Sequence, residues 1–247
     1  MSGHSKWSTI KHKKGAADAK RGRLFTKIIK EITMSAKVGG GSIESNPRLR
    51  SAVAAAKKAS MPSDNIDKAV KRGTGELEGV TYEEVMYEGY GPGGAAILVE
   101  AMTDNKNRTT AEIRHLLAKY GGNMGAAGSV AFQFHKKGYL AVEKSAASED
   151  ALMELALEAG AEDFKTEDSE TFEIITDPGL LEAVKTKLEE KKIAVATAEV
   201  QMVPQSTVAV EDKGPALVKL LEMLEDNDDV QKVWSNGDIE DRYLEAS

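Results

Sequence analysis

Residues 3–25, GHSKWSTIKHKKGAADAKRGRLF, carry seven Lys or Arg side chains and a single acid, Asp18. Lys6, Lys11, Lys13, Lys14, Lys20, Arg21 and Arg23 can each neutralise a phosphate and release the counterions condensed on a polyanion. Trp7 stands inside this run. An indole flanked by cations can stack on an unpaired base, or it can bury against a neighbouring helical unit. For His4 and His12 a phosphate contact or plain solvation fits better than a metal, because no ligand cluster surrounds them.

Other chemistry is thinly represented. The chain has no cysteine. That excludes disulfides, thiol nucleophiles, cysteine zinc fingers and iron–sulfur clusters, and fits a reducing compartment. His4, His12, His115 and His135 form neither an i,i+4 metal pair nor a triad motif. GYGPGG at 89–94 lacks the Lys-Ser/Thr of a phosphate loop and precedes a strand instead of opening a helix, so it reads as a hairpin turn. The polar run TDNKNRT at 103–109 can contact a partner or satisfy its own backbone. The acids at 226–229 lack the central Gly and the twelfth-position Glu of a calcium loop. The expectation is a protein that is not an enzyme, with no cofactor, no metal and no small-molecule substrate. No apolar run reaches the roughly 18 residues that cross a bilayer, and the start lacks the apolar core of a signal peptide. No membrane partner is expected.

The charge is divided along the chain. The net charge of the 247 residues is -7, yet residues 1–75 hold 17 Lys/Arg against five acids and the remainder 16 against 35. Such asymmetry points to a polyanion partner for the basic part. The alternative is a dipolar but inert surface.

The elements that must position these cations follow from periodicity. Residues 1–20 show neither helical nor strand period and read as an extended or mobile tail. A helix is predicted from about Arg21 to the glycines 39–41. Leu24, Phe25, Ile28, Ile29, Ile32 and Ala36 fall within an arc of about 140°, with Arg23, Lys27, Lys30 and Lys37 opposite. One face packs and the other presents cations. The predicted nucleic-acid-binding set is therefore Lys6, Trp7, Lys11, His12, Lys13, Lys14, Lys20, Arg21, Arg23, Lys27 and Lys30. A second helix is capped by Asn46 and opened by Pro47, with Leu49, Ala52, Val53, Ala56 and Ala59 on one stripe and Arg48, Arg50, Lys57 and Lys58 outside it. A third is capped by Ser63 and closed by Gly73.

Beyond residue 80 strands appear. Residues 82–88 and 95–102 read as a hairpin. Thr109 and Glu112 have capping-box spacing before a helix with Ile113, Leu116 and Leu117. GNMGAAGS is a glycine-rich loop, followed by a strand at 130–134. Residues 138–203 read strand-helix-strand-strand-helix-strand, the ferredoxin-like order. A last strand, helix and strand over 207–234 make a satisfying unit only when joined to 82–134. The expected fold class is α+β. It has an N-terminal three-helix domain with a basic tail (1–78), followed by two α/β sandwich domains, 79–135 with 205–247 and an inserted ferredoxin-like domain at 136–204. No helix-turn-helix, homeodomain, RRM or KH signature is present. Recognition by shape and backbone is expected, which suits structured RNA and leaves duplex DNA open.

Several long motifs carry a resemblance. They are GHSKWSTIKHKKGAADAKRGRLFTKIIKEI, NPRLRSAV, YEGYGPGGAAILVEAMTDNKNRTTAEIRH and GGNMGAAGSVAFQF, with ALEAGAED and MLEDNDDVQKVWSN further on. Over nearly its full length the chain resembles the YebC/PmpR family. The resemblance implies three domains with a helical N-terminal one. It also implies a gene-expression role that has been ascribed to DNA-binding transcriptional regulators, to mitochondrial translational activators and to factors that relieve stalling on the ribosome. The expected partner is nucleic acid, DNA or ribosomal RNA, with the ribosome as a further candidate. Because GHSKW stands at the start, a bacterial cytoplasmic protein is expected in place of a mitochondrial precursor. Oligomeric state is not indicated.

Overall fold

The computed structural model describes residues 18–168, 170–240, 242 and 243. Three helices come first: α1 (Asp18–Gly39), α2 (Pro47–Lys58) and α3 (Ser63–Thr74). Then follow β1 (Glu83–Tyr90), β2 (Ala96–Thr103), α4 (Lys106–Lys119) and β3 (Asn123–Met124). Next are β4 (Phe134–Glu143), α5 (Glu149–Glu158), β5 (Ala161–Lys165), β6 (Thr171–Thr176), α6 (Leu181–Glu190) and β7 (Thr197–Pro204). The chain closes with β8 (Val208–Ala209), α7 (Gly214–Glu225), β9 (Val230–Ser235) and β10 (Gly237–Asp238). The fold is α+β.

The three helices share one core. Ile28, Ile32 and Ala36 of α1 meet Leu49, Val53 and Ala56 of α2 and Ile66 and Ala69 of α3. Asn46 ties two ends together. Its side-chain oxygen accepts from Leu49 N at 3.1 Å, capping α2, and its amide donates to the Ser35 and Gly40 carbonyls, both at 2.8 Å. One side chain thus satisfies backbone groups that the end of α1 and the start of α2 leave unpaired. Gly73 does not close α3. It lies inside the helix, where a Cβ would stand 2.6 Å from the Ala36 Cβ and press on the Thr33 carbonyl. The closing residue is Gly75, at φ 82°, a left-handed conformation that glycine adopts without strain. Ser63 is the first residue of the helix, preceded by Pro62, and makes no side-chain cap.

Helix α1 departs from the sequence projection. Residues 32–36 are buried in succession, Thr33, Met34 and Ser35 included, while Leu24 is 44% exposed. A helix buried on every side is packed against two partners. The second partner is the neighbouring α/β unit, met at Tyr82 and at residues 225–229.

That sheet has the order β3-β1-β2-β9, with antiparallel neighbours. Ile97, Val99 and Ala101 of β2 pack with Ile113 and Leu117 of α4 and Leu217, Leu221 and Leu224 of α7. The second sheet, β5-β6-β4-β7, is wholly antiparallel and carries α5 and α6 on one face, over Leu140, Val142, Phe172 and Ile174. This is the ferredoxin-like arrangement. The two sheets meet where Ala96, Leu98 and Trp234 pack with Val130, Phe134 and Met202.

Three expected elements differ. Residues 131–133 form a short 3-10 turn, and the strand begins at Phe134. The strand expected at 207–211 is only Val208–Ala209, which pairs in parallel with β10 and joins neither large sheet. Helix α4 opens at Lys106 under Asn105, whose side chain accepts from Arg108 N at 3.1 Å. Thr109 is fully buried and its hydroxyl turns inward. GYGPGG forms the β1–β2 connection, with Gly93 against Val210. No helix among the described residues is long and apolar enough to cross a membrane.

Candidate nucleic-acid interface

The cations of α1 run along one side at positions 21, 23, 27 and 30. Arg21 is exposed. From Arg23 onward the run meets the acidic connection between α7 and β9. Arg23 lies 3.4 Å from Asp226. Lys27 donates to the Glu225 carbonyl at 2.5 Å. Lys30 donates to Asp229 Oδ1 at 2.6 Å and to the Asp228 carbonyl at 2.9 Å, and its ammonium sits 5.5 Å from the centre of the Tyr82 ring.

This corrects part of the expected surface. Lys30 is 6% exposed and faces protein, not solvent. Lys27 is also directed to the same loop. The cause is the second packing partner: these side chains stand opposite the apolar arc of α1, and the sheet unit covers that side with carboxylates and carbonyls. Arg48 is likewise drawn inward. Its guanidinium bonds both Glu31 Oε1, at 2.7 Å, and Glu84. Those bonds, the one to Glu31 foremost, hold it charged beyond its ordinary range. Residues 18–20, expected to belong to the tail, are already the first turn of α1. Lys6, Trp7, Lys11, His12, Lys13 and Lys14, the Lys20 side chain and the rest of the expected tail lie outside the described residues.

Asp229 is the centre of the junction, and no local signal marks it in the sequence. Its second oxygen accepts from Thr109 at 2.7 Å, Arg108 at 2.7 Å and Thr103 at 3.2 Å. Burial pushes its carboxyl up, but the hydrogen bonds from Arg108, Lys30 and Thr109 outweigh this and hold it at about 2. Arg108 also pairs with Asp104 at 2.8 Å, so Thr103, Asp104, Asn105, Arg108 and Thr109 of the polar TDNKNRT run are engaged in local and cross-unit bonds. An open cleft of about 690 Å³ lies here, lined by Arg23, Arg108, Glu112 and residues 226–229. Asn227 donates across it to Glu112 at 2.8 Å. Among the described residues no group of three His, Cys, Asp or Glu is placed to hold a metal ion.

The exposed cations of the helical unit are thus Arg21 and Lys37 on α1 and, on α2 and α3, Arg50, Lys57, Lys58, Lys68, Lys71 and Arg72, with Lys68 paired to Asp64. Lys57, Lys58, Lys71 and Arg72 fall in last helical turns, where they also offset the helix dipole. Only Arg21 of these belonged to the expected binding set.

Comparisons with known proteins agree with this architecture. The family described as "TACO1/YebC protein N-terminal domain" matches residues 5–76, and "TACO1/YebC second and third domain" matches residues 82–237. A "probable transcriptional regulatory protein" of Desulforapulum autotrophicum is 58% identical over 247 residues, covering 100% of both chains. One from Desulfosudis oleivorans is 59% identical with the same coverage. The crystal structure of a conserved hypothetical protein, Aq1575, from Aquifex aeolicus superposes with a TM-score of 0.80 at 48% identity. It covers 91% of this chain and 93% of that one.

Proposed function

The chain belongs to the TACO1/YebC family, and from that premise we propose that it is a non-enzymatic, nucleic-acid-binding regulator of gene expression, acting in the cytoplasm. The observation that carries this reading is the charge division, 17 Lys/Arg against five acids in residues 1–75 and 16 against 35 thereafter. Lys6, Lys11, His12, Lys13, Lys14, Lys20, Arg21 and Arg23 contact phosphates, and Trp7 stacks on an exposed base. The acidic remainder is repelled by the same phosphates and so orients the molecule. The units 1–78, 79–135 with 205–247, and 136–204 divide the work, the first making the nucleic-acid contact. Relatives named as transcriptional regulators support duplex DNA as the ligand.

Action on ribosomal RNA at the translating ribosome is the second reading. It is favoured by Trp7, because an indole stacks on unpaired bases and duplex DNA offers none. The two are separated by measuring affinity for promoter duplexes and for ribosomal RNA fragments across a salt series. Lys11, Lys13 and Lys14 changed together to Glu should remove most binding and flatten the salt dependence by about 0.9 for each lost phosphate contact on duplex DNA. Binding unchanged in that variant refutes the role of the front end.

A further inference from the structure

Residues 113–142 contain no Asp or Glu, although residues 76–247 hold 35 acids. The run carries Arg114, Lys119, Lys136 and Lys137 as its cations. Within it is Phe132, 68% exposed between the buried Val130 and Phe134. The ring is left in solvent by a backbone that is held from several sides. The carboxylate of Glu88, itself 8% exposed, accepts from the backbone N–H groups of Gly128 at 2.6 Å, Val130 at 2.7 Å and Ala131 at 2.8 Å. Burial pushes that carboxyl up, and the backbone donors together bring it below the ordinary range, so it stays charged. Tyr90 donates to the Ser129 carbonyl at 3.0 Å, and Gln205 donates to the Phe132 carbonyl at 3.1 Å. Asn236 donates to the Gln133 side chain at 3.1 Å.

A buried carboxylate is costly unless fully bonded, and here one is committed to the shape of a surface loop. The product is an aromatic ring presented on a rigid support. Such a ring contributes little to folding, but on binding it has little conformational freedom left to lose. Its surroundings select the ligand. The one carboxylate bonded to the loop, Glu88, is buried and met by three backbone N–H groups. Lys137 is paired with Glu162, and His135 and Lys136 are exposed a few residues away. Every base has a π-face, so stacking on a phenyl ring tolerates any sequence.

We propose that Phe132 is a base-stacking platform, a second nucleic-acid contact that takes an unpaired nucleobase and lies on a different element from the basic front end. It rests on the nucleic-acid reading above. The test measures fluorescence anisotropy of fluorescein-labelled oligouridine against the full chain, at several salt concentrations. Phe132→Ala should weaken binding about tenfold with the salt slope unchanged, because stacking is lost and no phosphate contact is. Phe132→Trp should restore affinity. The Lys11, Lys13, Lys14 to Glu variant should instead lower the slope. Wild-type affinity in Phe132→Ala, with binding lost in the lysine variant, overturns the platform and leaves the nucleic-acid reading standing. Binding unchanged in both variants overturns both. Wild-type protein that binds duplex but not oligouridine overturns the platform alone.

Discussion

Lys30 and Asp229 are 199 residues apart in sequence and 2.6 Å apart in space. Their side chains are 7% and 5% exposed. The pair locks α1 onto the connection between α7 and β9. The placement of α1 is therefore set by a contact in the acidic half of the molecule.

Breaking this pair from its two ends should have unequal effects. Asp229→Ala removes the carboxylate that faces the buried Lys30 ammonium, leaving it only the Asp228 carbonyl, and should destabilise by about 3–5 kcal/mol. Lys30→Met keeps the volume and leaves Asp229 with Arg108 and Thr109, so about 1–2 kcal/mol is expected. Urea unfolding, with amide exchange followed across α1, reads both. Equal losses would show that Lys30 is the only partner of consequence.

Acid should loosen the same junction. The Asp229 carboxyl is held at about 2, against 3.8 ordinarily. A carboxyl depressed in the folded state stabilises fully above its unfolded value, and that stabilisation is lost as pH falls through the folded value. About 2 kcal/mol should therefore disappear between roughly pH 4 and pH 2. Stability measured against pH should show this limb in the wild type and a shallower one in Asp229→Asn.

Two glycines in the helical unit should respond with opposite signs. Gly73→Ala drives a methyl into the Thr33 carbonyl and the Ala36 side chain of α1. It should destabilise by about 1–3 kcal/mol. A Cβ at Gly22 meets nothing within 4 Å, and Gly22→Ala should stabilise α1 by up to about 1 kcal/mol. Thermal unfolding of the two variants distinguishes them. A neutral Gly73→Ala would mean that α3 can shift away from α1.

Glu88→Gln should release the loop without unfolding the sheet. The amide side chain retains one acceptor oxygen, but the charge that draws in Gly128, Val130 and Ala131 is gone, at about 1–3 kcal/mol locally. Amide exchange at those three residues should accelerate while exchange within β1 and β2 stays slow. Unchanged protection at all three would show that the turn holds itself.

Much of the fold was legible because its signals are local. Asn46-Pro47 marks the start of α2 through capping and fixed φ, and the predicted order of elements over 138–203 is the one observed. The misread boundaries share a cause. Thr109 has the spacing of a cap, yet its hydroxyl bonds Asp229, 120 residues away. Gly73 resembles a stop signal, yet it is a contact point between two helices. Lys27 and Lys30 lie on a polar face by projection, and a projection does not reveal a second partner for that face.

The residues alone determined the division of charge, the alternation of helix and strand, and the family, because each is written in composition, period or contiguous motif. Where those charges point was decided by tertiary packing. Lys30 is an inward latch and Phe132 an outward ring for the same reason. Burial depends on which distant segment arrives to cover a side chain, and nearby spacing carries no record of that arrival.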